Sequence, residues 1–284
     1  MSGPKQDSMQ FMKGSHSAHL RKILLICGML LLIHTPRSLI GEPTPAAVSA
    51  FNSYTRGVES RLAQQHQSPN TFLVSTASAP EDMKMRPREG ELIIEKLTPS
   101  TGANLPGALL HHWRGTAFAP GAKAADFERL IRDFNSYPQH FSPQVLQAKV
   151  FTQNGDRMQA WMRVRQKHII TVVMDTTYDI TFGQLDVQHG YSISESTRIS
   201  EVDGAGTGAE RTLSASEDHG FLWRLNTFWS YVERDGGLYL QIEAISLTRS
   251  IPRSVGWAVE PYVESIPRES LEFTLRSACN ALRK

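Results

Sequence analysis

Cysteine is scarce in this chain of 284 residues, which has only Cys27 and Cys279. Two thiols so far apart give no metal-ligand spacing, so the sequence predicts no metal site and no cofactor. Cys27 lies in an apolar run that we expect to be removed or held in a membrane, which leaves Cys279 without a partner. We therefore expect no internal disulfide, and a buried thiol on a helix at residue 279.

An excess of charge of one sign is also missing. The formal net charge is +2 and charged residues make up 20% of the chain, so no basic footprint indicates a nucleic-acid partner. Catalytic motifs are missing too: no Ser/His/Asp or Cys/His order of known mechanism is present. The stretch "DGAGTG" at 203–208 lacks the lysine and the following helix of a phosphate-binding loop.

What the chain does have begins with an apolar run at 23–33, directly after Arg21 and Lys22. A membrane span takes ~20 apolar residues, so this shorter run is typical of a secretory signal peptide. The protein is predicted to be exported, either periplasmic or secreted, or to stay tethered to a membrane by residues 23–33. We assign 1–45 to a signal peptide or membrane anchor and linker, 46–107 to an N-terminal helix, connector and extra strand, and 108–284 to the main domain.

Helices are predicted where apolar residues recur at helical spacing. The first helix carries Phe51, Tyr54, Val58 and Leu62, and a second carries Phe127, Leu130, Ile131 and Phe134. Between them, "ELIIEKL" at 91–97 and "LLHHWRGTAFAP" at 109–120 predict two strands that pair. The chain ends in a helical region, which Pro261 and Pro267 should bend or break.

A period of two starts at residue 157 and predicts antiparallel strands. Asp235-Gly236 is typical of a type I′ hairpin turn, and counting outward pairs Tyr231 with Leu240, Trp229 with Ile242 and Thr227 with Ala244. One face of this hairpin is then aromatic and apolar, and we place on it Trp223, Leu225, Trp229, Tyr231, Leu240, Ile242 and Ala244.

Polar side chains give weaker signals. His111 and His112 are adjacent on a strand and point to opposite faces, so they cannot bind one metal, and we expect one of them exposed and the other packed. Asp218-His219 could form an acid/base pair, although a hydrogen bond that anchors the loop is favoured. Glu243 is placed with Arg224 on the polar face of the hairpin, where a surface ion pair would contribute little.

The order of predicted elements is a strand, two helices, some six antiparallel strands and a long C-terminal helix. This order resembles the helix-grip fold of the START-like (SRPBCC) superfamily over about Leu109 to Leu282. Four stretches are similar to an exported bacterial branch of it: "HHWRGTAF", "EDHGFLWRLN", "GLYLQIEAISLTRSIP" and "SIPRESLEFTL". The resemblance implies an α+β fold, in which a curved antiparallel sheet wraps around a long C-terminal helix, with an N-terminal helical extension.

The resemblance also implies an apolar cavity between the sheet and the C-terminal helix. The residues expected to line it are Met158, Met162, Val172, Met174, Tyr178, Trp223, Leu225, Trp229, Tyr231, Leu240, Ile242, Leu271 and Leu275. Methionine adapts to irregular apolar shapes, which suits a ligand site. The alternative is that these residues simply fill a core.

Three functions are compatible with this pattern. The first is an exported protein that binds a hydrophobic small molecule or lipid in the cavity. The second is an enzyme of the cyclase or aromatase type that uses the same cavity, which requires an inward-facing titratable pair. The third is an envelope protein-interaction module. Membrane association through the N-terminal apolar run fits all three, and no catalytic residue is predicted.

Overall fold

The computed structural model describes residues 41–73, 86–98, 104–167, 170–250 and 256–283, with only the backbone described for 256–264. The predictions for Cys27 and for the apolar run at 23–33 lie outside these residues. Ile40–Lys284 forms one compact unit, which contains both the predicted N-terminal helix and the main domain. Within the described ranges, no helix combines the length and the hydropathy that crossing a membrane requires.

Helices and strands follow the predicted order. In chain order they are α1 (Pro45–Gln65), β1 (Ile93–Lys96), β2 (Asn104–Leu105), β3 (Ala108–Pro120), α2 (Ala124–Arg132), a 3-10 turn (Phe134–Ser136), α3 (Tyr137–His140), β4 (Val145–Asn154), β5 (Arg157–Lys167), β6 (Thr171–Asp186), β7 (His189–Asp203), β8 (Arg211–Thr212), β9 (Arg224–Arg234), β10 (Gly237–Arg249) and α4 (Gly256–Leu282).

The strands form a curved antiparallel sheet in the order β1-β3-β10-β9-β7-β6-β5-β4. The short strands β2 and β8 pair with β3 and β7. We call the face that carries Trp229 and Leu240 the inner face, because it packs in one apolar cluster with Leu271 and Leu275 of α4. The sheet wrapped around α4 is the predicted helix-grip fold, which is confirmed.

The hairpin of β9 and β10 has the predicted register. Tyr231 pairs with Leu240 and Trp229 with Ile242. Asp235 and Gly236 at the turn have φ angles of 57° and 76°, as a type I′ turn requires. The position of this turn therefore fixes the register of the two strands, and the register fixes which residues of the hairpin face inward.

Gly115 marks the point where α4 lies closest to the sheet. A Cβ atom at this residue would lie 2.5 Å from Leu275 Cδ1 and 3.2 Å from Leu271 Cδ2. Leu275 is fully buried there. A glycine in the middle of β3 is therefore what allows the leucines of α4 to reach the strand backbone.

The opposite, outer face of the sheet is covered by α1. Its apolar stripe, which includes Phe51, Val58 and Leu62, packs against Leu110, Phe228, Ile245 and Leu247 of the sheet. The predicted stripe on this helix is thus confirmed, and it shows that both faces of the central strands are buried.

The C-terminal helix is continuous. Pro261 and Pro267 were predicted to bend or break it, and α4 runs from Gly256 to Leu282 through both prolines without a break. The 27-residue helix buries Leu271, Leu275, Ala278 and Leu282 against the rest of the inner cluster, and such packing can outweigh the hydrogen bond that a proline removes. Cys279 is free and buried on this helix, as predicted.

Candidate functional site on the inner face

One half of the inner face is tightly closed. Phe127 of α2 contacts the rings of Trp229 and Tyr231 edge to face, with centroid distances of 5.0 and 5.1 Å. Next to them Leu238 and Leu240 have no exposed surface. This half is a filled core of the kind that gives a domain its stability.

The other half of the inner face is less completely covered. Along β10 the inward side chains change from fully buried at Leu240 to half-buried at Ala244. Along β5 they change from buried Met158 to half-buried Met162, and Thr227 of β9 is half-buried as well. We call this half of the inner face the open half.

Trp113 of β3 lies at the boundary between the two halves. Its ring belongs to the inner apolar cluster and the residue is 9% exposed. The indole Nε1–H is buried, and among the residues that the structure describes it meets no hydrogen-bond acceptor. A buried donor without a partner costs ~1–3 kcal/mol, so such a group needs an explanation in a ligand or an ordered water.

Most of the predicted cavity residues lie on the inner face. The inner cluster or the residues packed on it include Met158, Met162, Tyr178, Trp229, Tyr231, Leu240, Ile242, Leu271 and Leu275. Val172, Met174 and Leu225 lie outside that cluster; Met174 is buried, and Val172 and Leu225 are half-buried.

Trp223 requires a correction. The alternation of the hairpin placed it on the inner face, but it packs on the outer face with α1, and its Nε1–H donates to the Gly41 carbonyl at 3.2 Å. The regular strand begins only at Arg224, so the period of two does not extend to Trp223.

The inner tyrosines keep their protons at neutral pH. Burial raises the pKa of Tyr178 to about 12 and also raises the pKa of Tyr231. Within the described part of the chain, no group of three His, Cys, Asp or Glu side chains could hold a metal ion. The inner face therefore offers shape and apolar surface, with the Trp113 indole as its free donor.

A buried polar cluster lies on the outer face instead, beneath α1. Glu243 is 2% exposed, and its Oε2 accepts hydrogen bonds from His112 Nε2 at 2.9 Å and from Arg61 at 2.5 Å. The Tyr54 hydroxyl is 2.9 Å from His112 Nδ1. With its proton at Nε2, the His112 imidazole donates to Glu243 and accepts from the Tyr54 hydroxyl, so both hydrogen bonds form. We call these four residues the Glu243 cluster.

The Glu243 cluster was not predicted. Glu243 was placed on a solvated face, and one of His111 and His112 was expected to be exposed, but all three are buried. Burial alone would raise the pKa of Glu243, but the hydrogen bond from His112 and the charge of Arg61 outweigh it and lower the pKa. The apolar residues Phe228, Ile245 and Leu247 share this face, and they are the sequence signal that a helix covers it.

His66 lies directly after α1, at its C-terminal end. Its ring stacks on Tyr191 at 4.5 Å and lies 4.6 Å from Phe72, and its Nε2 is 2.8 Å from Ser230 Oγ. Burial, followed by the nearby charge of Arg61, lowers the pKa of His66 to about 4. The imidazole is therefore neutral at physiological pH. Its ring contacts with Tyr191 and Phe72 hold the end of α1 on the sheet.

Asp218 and His219 anchor a loop, which is the favoured of the two predictions. His219 Nδ1 is 2.6 Å from Glu201 Oε2, while Asp218 Oδ1 accepts from the Gly220 amide at 2.7 Å. Burial raises the pKa of Glu201. These contacts fix the segment that leads into β9.

No protein-family model matches the sequence, and no curated protein matches it. Similar solved structures include the STAR-related lipid transfer protein of Xanthomonas axonopodis, with 15% identity over 64% of this chain and 98% of that chain and a TM-score of 0.39. They also include the Zhui aromatase/cyclase of Streptomyces sp. R1128, with 11% identity, 60% and 92% coverage and a TM-score of 0.41. Human STARD10 has 10% identity, 70% and 80% coverage and a TM-score of 0.41. Each of these likenesses is one of fold alone, at 15% identity or less.

Proposed function

We propose that the protein binds a hydrophobic small molecule or lipid on the open half of the inner face, and that an oxygen atom of this ligand accepts a hydrogen bond from Trp113. The observation that carries the proposal is the indole Nε1–H, which is buried without a partner in an apolar surface. A ligand oxygen that accepts from this N–H would give the donor a partner and so remove the free-energy cost of leaving it unpaired.

The surface around Trp113 defines the ligand further. Ala244 pairs directly with Trp113 and Thr227 pairs with Ala244, so the neighbours of the indole along the sheet are apolar or neutral. An ionised ligand would be poorly solvated against such a surface, so the expected ligand is neutral where it is bound. An apolar body with a carbonyl or hydroxyl oxygen fits this description.

The enzyme alternative has less support. A cyclase or aromatase mechanism needs a titratable pair that faces the cavity. Among the described residues, the pair of Glu243 with His112 lies on the outer face, and the pair of Glu201 with His219 anchors the loop before β9. Binding without chemistry is therefore the proposed activity.

A pair of probes that differ in one oxygen tests the role of Trp113. 2-Acetylnaphthalene and 2-ethylnaphthalene have similar shapes, but only the ketone can accept a hydrogen bond. Trp113→Phe should weaken binding of the ketone ~tenfold, which is the value of a hydrogen bond of ~1.4 kcal/mol, and should change binding of the hydrocarbon by less than ~twofold. Affinities are measured by tryptophan quenching.

Trp161→Phe provides the matched control. Trp161 lies on β5 with the opposite parity from Met158, and Arg163 lies over its ring at 5.8 Å. This variant should bind both probes like the wild type. The proposal fails if the wild type binds neither probe, or if Trp113→Phe weakens the ketone and the hydrocarbon equally.

Export is the second part of the proposal. Its support is the apolar run at 23–33 behind Arg21 and Lys22. Residues 1–60 fused to alkaline phosphatase, which is active only outside the bacterial cytoplasm, should give an active reporter. A fusion with Leu25→Arg and Leu31→Arg should be expressed and inactive. An inactive wild-type fusion at normal expression would disprove export by this segment.

A further inference from the structure

A cleft opens on the outer face of the sheet, beside the first half of α1. Its volume is about 700 Å³, and its walls are α1, the last part of β7, the start of β9 and residues 213–218. Arg224 in this wall pairs with Leu247, which packs on the outer face. The cleft is therefore separated from the inner face by the sheet itself.

Arginine side chains from three different elements line this cleft. They are Arg56 of α1, Arg198 of β7 and Arg224 of β9. In the part of the chain that the structure describes, none of the three forms an ion pair with a carboxylate. Arg198 Nε donates to Ser200 Oγ at 3.2 Å and Arg224 to the Trp223 carbonyl at 2.8 Å. Each guanidinium has five N–H donors, so most of these donors remain available to a ligand.

The acidic residues of the cleft offset only part of this charge. Glu42 and Asp218 also line it. Asp218 is 8% exposed, and its two carboxylate oxygens accept from the backbone amides of Gly220 and Glu201. Three cationic and two anionic side chains give the lining a net positive charge. The carboxylate of Asp218 is occupied by its hydrogen bonds to the backbone of Gly220 and Glu201.

Uncharged donors stand beside the arginines on α1. Ser49, Asn52 and Arg56 follow one another at intervals of three and four residues, so they share one face of the helix, and all line the cleft. The first turn of α1 contains no acidic residue. The positive end of the helix dipole therefore adds to the potential of the arginines.

We propose that this cleft binds a phosphate group, carried either by a lipid headgroup or by a soluble phosphate ester. Arginine binds phosphate through paired, charge-assisted hydrogen bonds, and donors from three elements can surround a tetrahedral anion. The site is independent of the inner face, so the protein has one surface for an apolar body and another for an anionic group.

Calorimetric titration of the full chain with inorganic phosphate tests this site at constant ionic strength. The wild type should bind one phosphate, and the double variant Arg198→Gln/Arg224→Gln should bind it ~tenfold more weakly or worse. Arg56→Gln, an exposed change on a helix that keeps the fold intact, should give a smaller loss. Arg129→Gln/Arg276→Gln is the matched control, since these arginines are 72% and 60% exposed and lie outside the cleft.

Vesicles distinguish the two sources of the phosphate. All variants keep the same residues 23–33, so a difference between them in sedimentation with vesicles reports the cleft. If the Arg198→Gln/Arg224→Gln variant loses binding to phosphatidylcholine vesicles that contain phosphatidic acid, the ligand is a lipid headgroup. If only inorganic phosphate binding is lost, the ligand is a soluble phosphate.

Either of these results supports a phosphate site. The proposal is overturned if the wild type binds neither inorganic phosphate nor the phosphatidic acid, or if the cleft variants behave like the Arg129→Gln/Arg276→Gln control. Binding of 2-acetylnaphthalene should be unchanged in every arginine variant, which keeps this result separate from the test of the inner face.

Discussion

Replacing Glu243 by alanine should lower the free energy of unfolding by ~3 kcal/mol. The carboxylate is 2% exposed and is the shared partner of His112 and Arg61. Removing one partner of a buried ion pair costs ~3–5 kcal/mol, and we expect the lower end because Arg61 is 42% exposed and can regain water. Urea denaturation measures the loss, and faster proteolysis within 45–65 should accompany it as α1 loosens.

Glu272→Ala is the control for this prediction. Glu272 also forms an ion pair, with Arg276 at 2.7 Å, but the two side chains are 33% and 60% exposed. A surface pair of this kind contributes ~0–1 kcal/mol. Equal losses for Glu243→Ala and Glu272→Ala would show that the Glu243 cluster does not hold α1 on the sheet.

Acidification should weaken the same contact between α1 and the sheet. The folded-state pKa of His66 is about 4, below its ordinary value of 6.5, and the pKa of Glu243 is lowered as well. In both cases the unfolded chain takes up the proton more readily, so the free energy of unfolding falls as the pH falls, from about 6.5 downward for His66. His66→Phe should make the loss between pH 6.5 and 4 smaller than in the wild type.

Leu275→Ala should cost ~2–5 kcal/mol of unfolding free energy. The side chain is fully buried at the point where α4 meets β3, and truncating a buried leucine leaves a cavity. Arg276→Ala, next to it on the exposed side of α4, should change stability by less than ~0.5 kcal/mol. A loss below ~0.5 kcal/mol for Leu275→Ala would contradict the packing of α4 against the inner face.

Gly115 provides a second test of the same contact. Gly115→Ala alone should destabilise the protein, because its Cβ would lie 2.5 Å from Leu275 Cδ1. In the double variant with Leu275→Ala, the new methyl group enters space that the leucine has left. The loss of unfolding free energy in the double variant should therefore be smaller than the sum of the losses in the two single variants. A double-mutant cycle by urea denaturation measures the difference.

The strands were predictable because local rules fix them. A type I′ turn at Asp235-Gly236 and a period of two determine the register of β9 and β10. The course of α4 was less predictable, because the effect of Pro261 and Pro267 depends on packing partners that lie far away in the sequence. Propensity is a weak guide when tertiary contacts oppose it.

The inner face was predicted better than the outer one. Alternation places Trp229 and Ile242 correctly, but it fails at Trp223, where the strand has not yet begun. The Glu243 cluster could not be predicted, because its members come from α1, β3 and β10, and no local pattern states which surface an amphipathic helix covers. The unpaired Trp113 indole could not be predicted either, because it depends on whether the residues packed around it include a hydrogen-bond acceptor.

The contact at Gly115 limits how this protein can diversify. A side chain added there would meet Leu275 and Leu271 in their present positions, so the closed half of the sheet cannot enlarge at this point while both leucines are kept. Positions such as Met162 and Ala244 lie outside that contact, and their size can change while α4 stays in place. Substitutions in the open half could therefore change the shape of the inner face while the contact between α4 and β3 stays as it is.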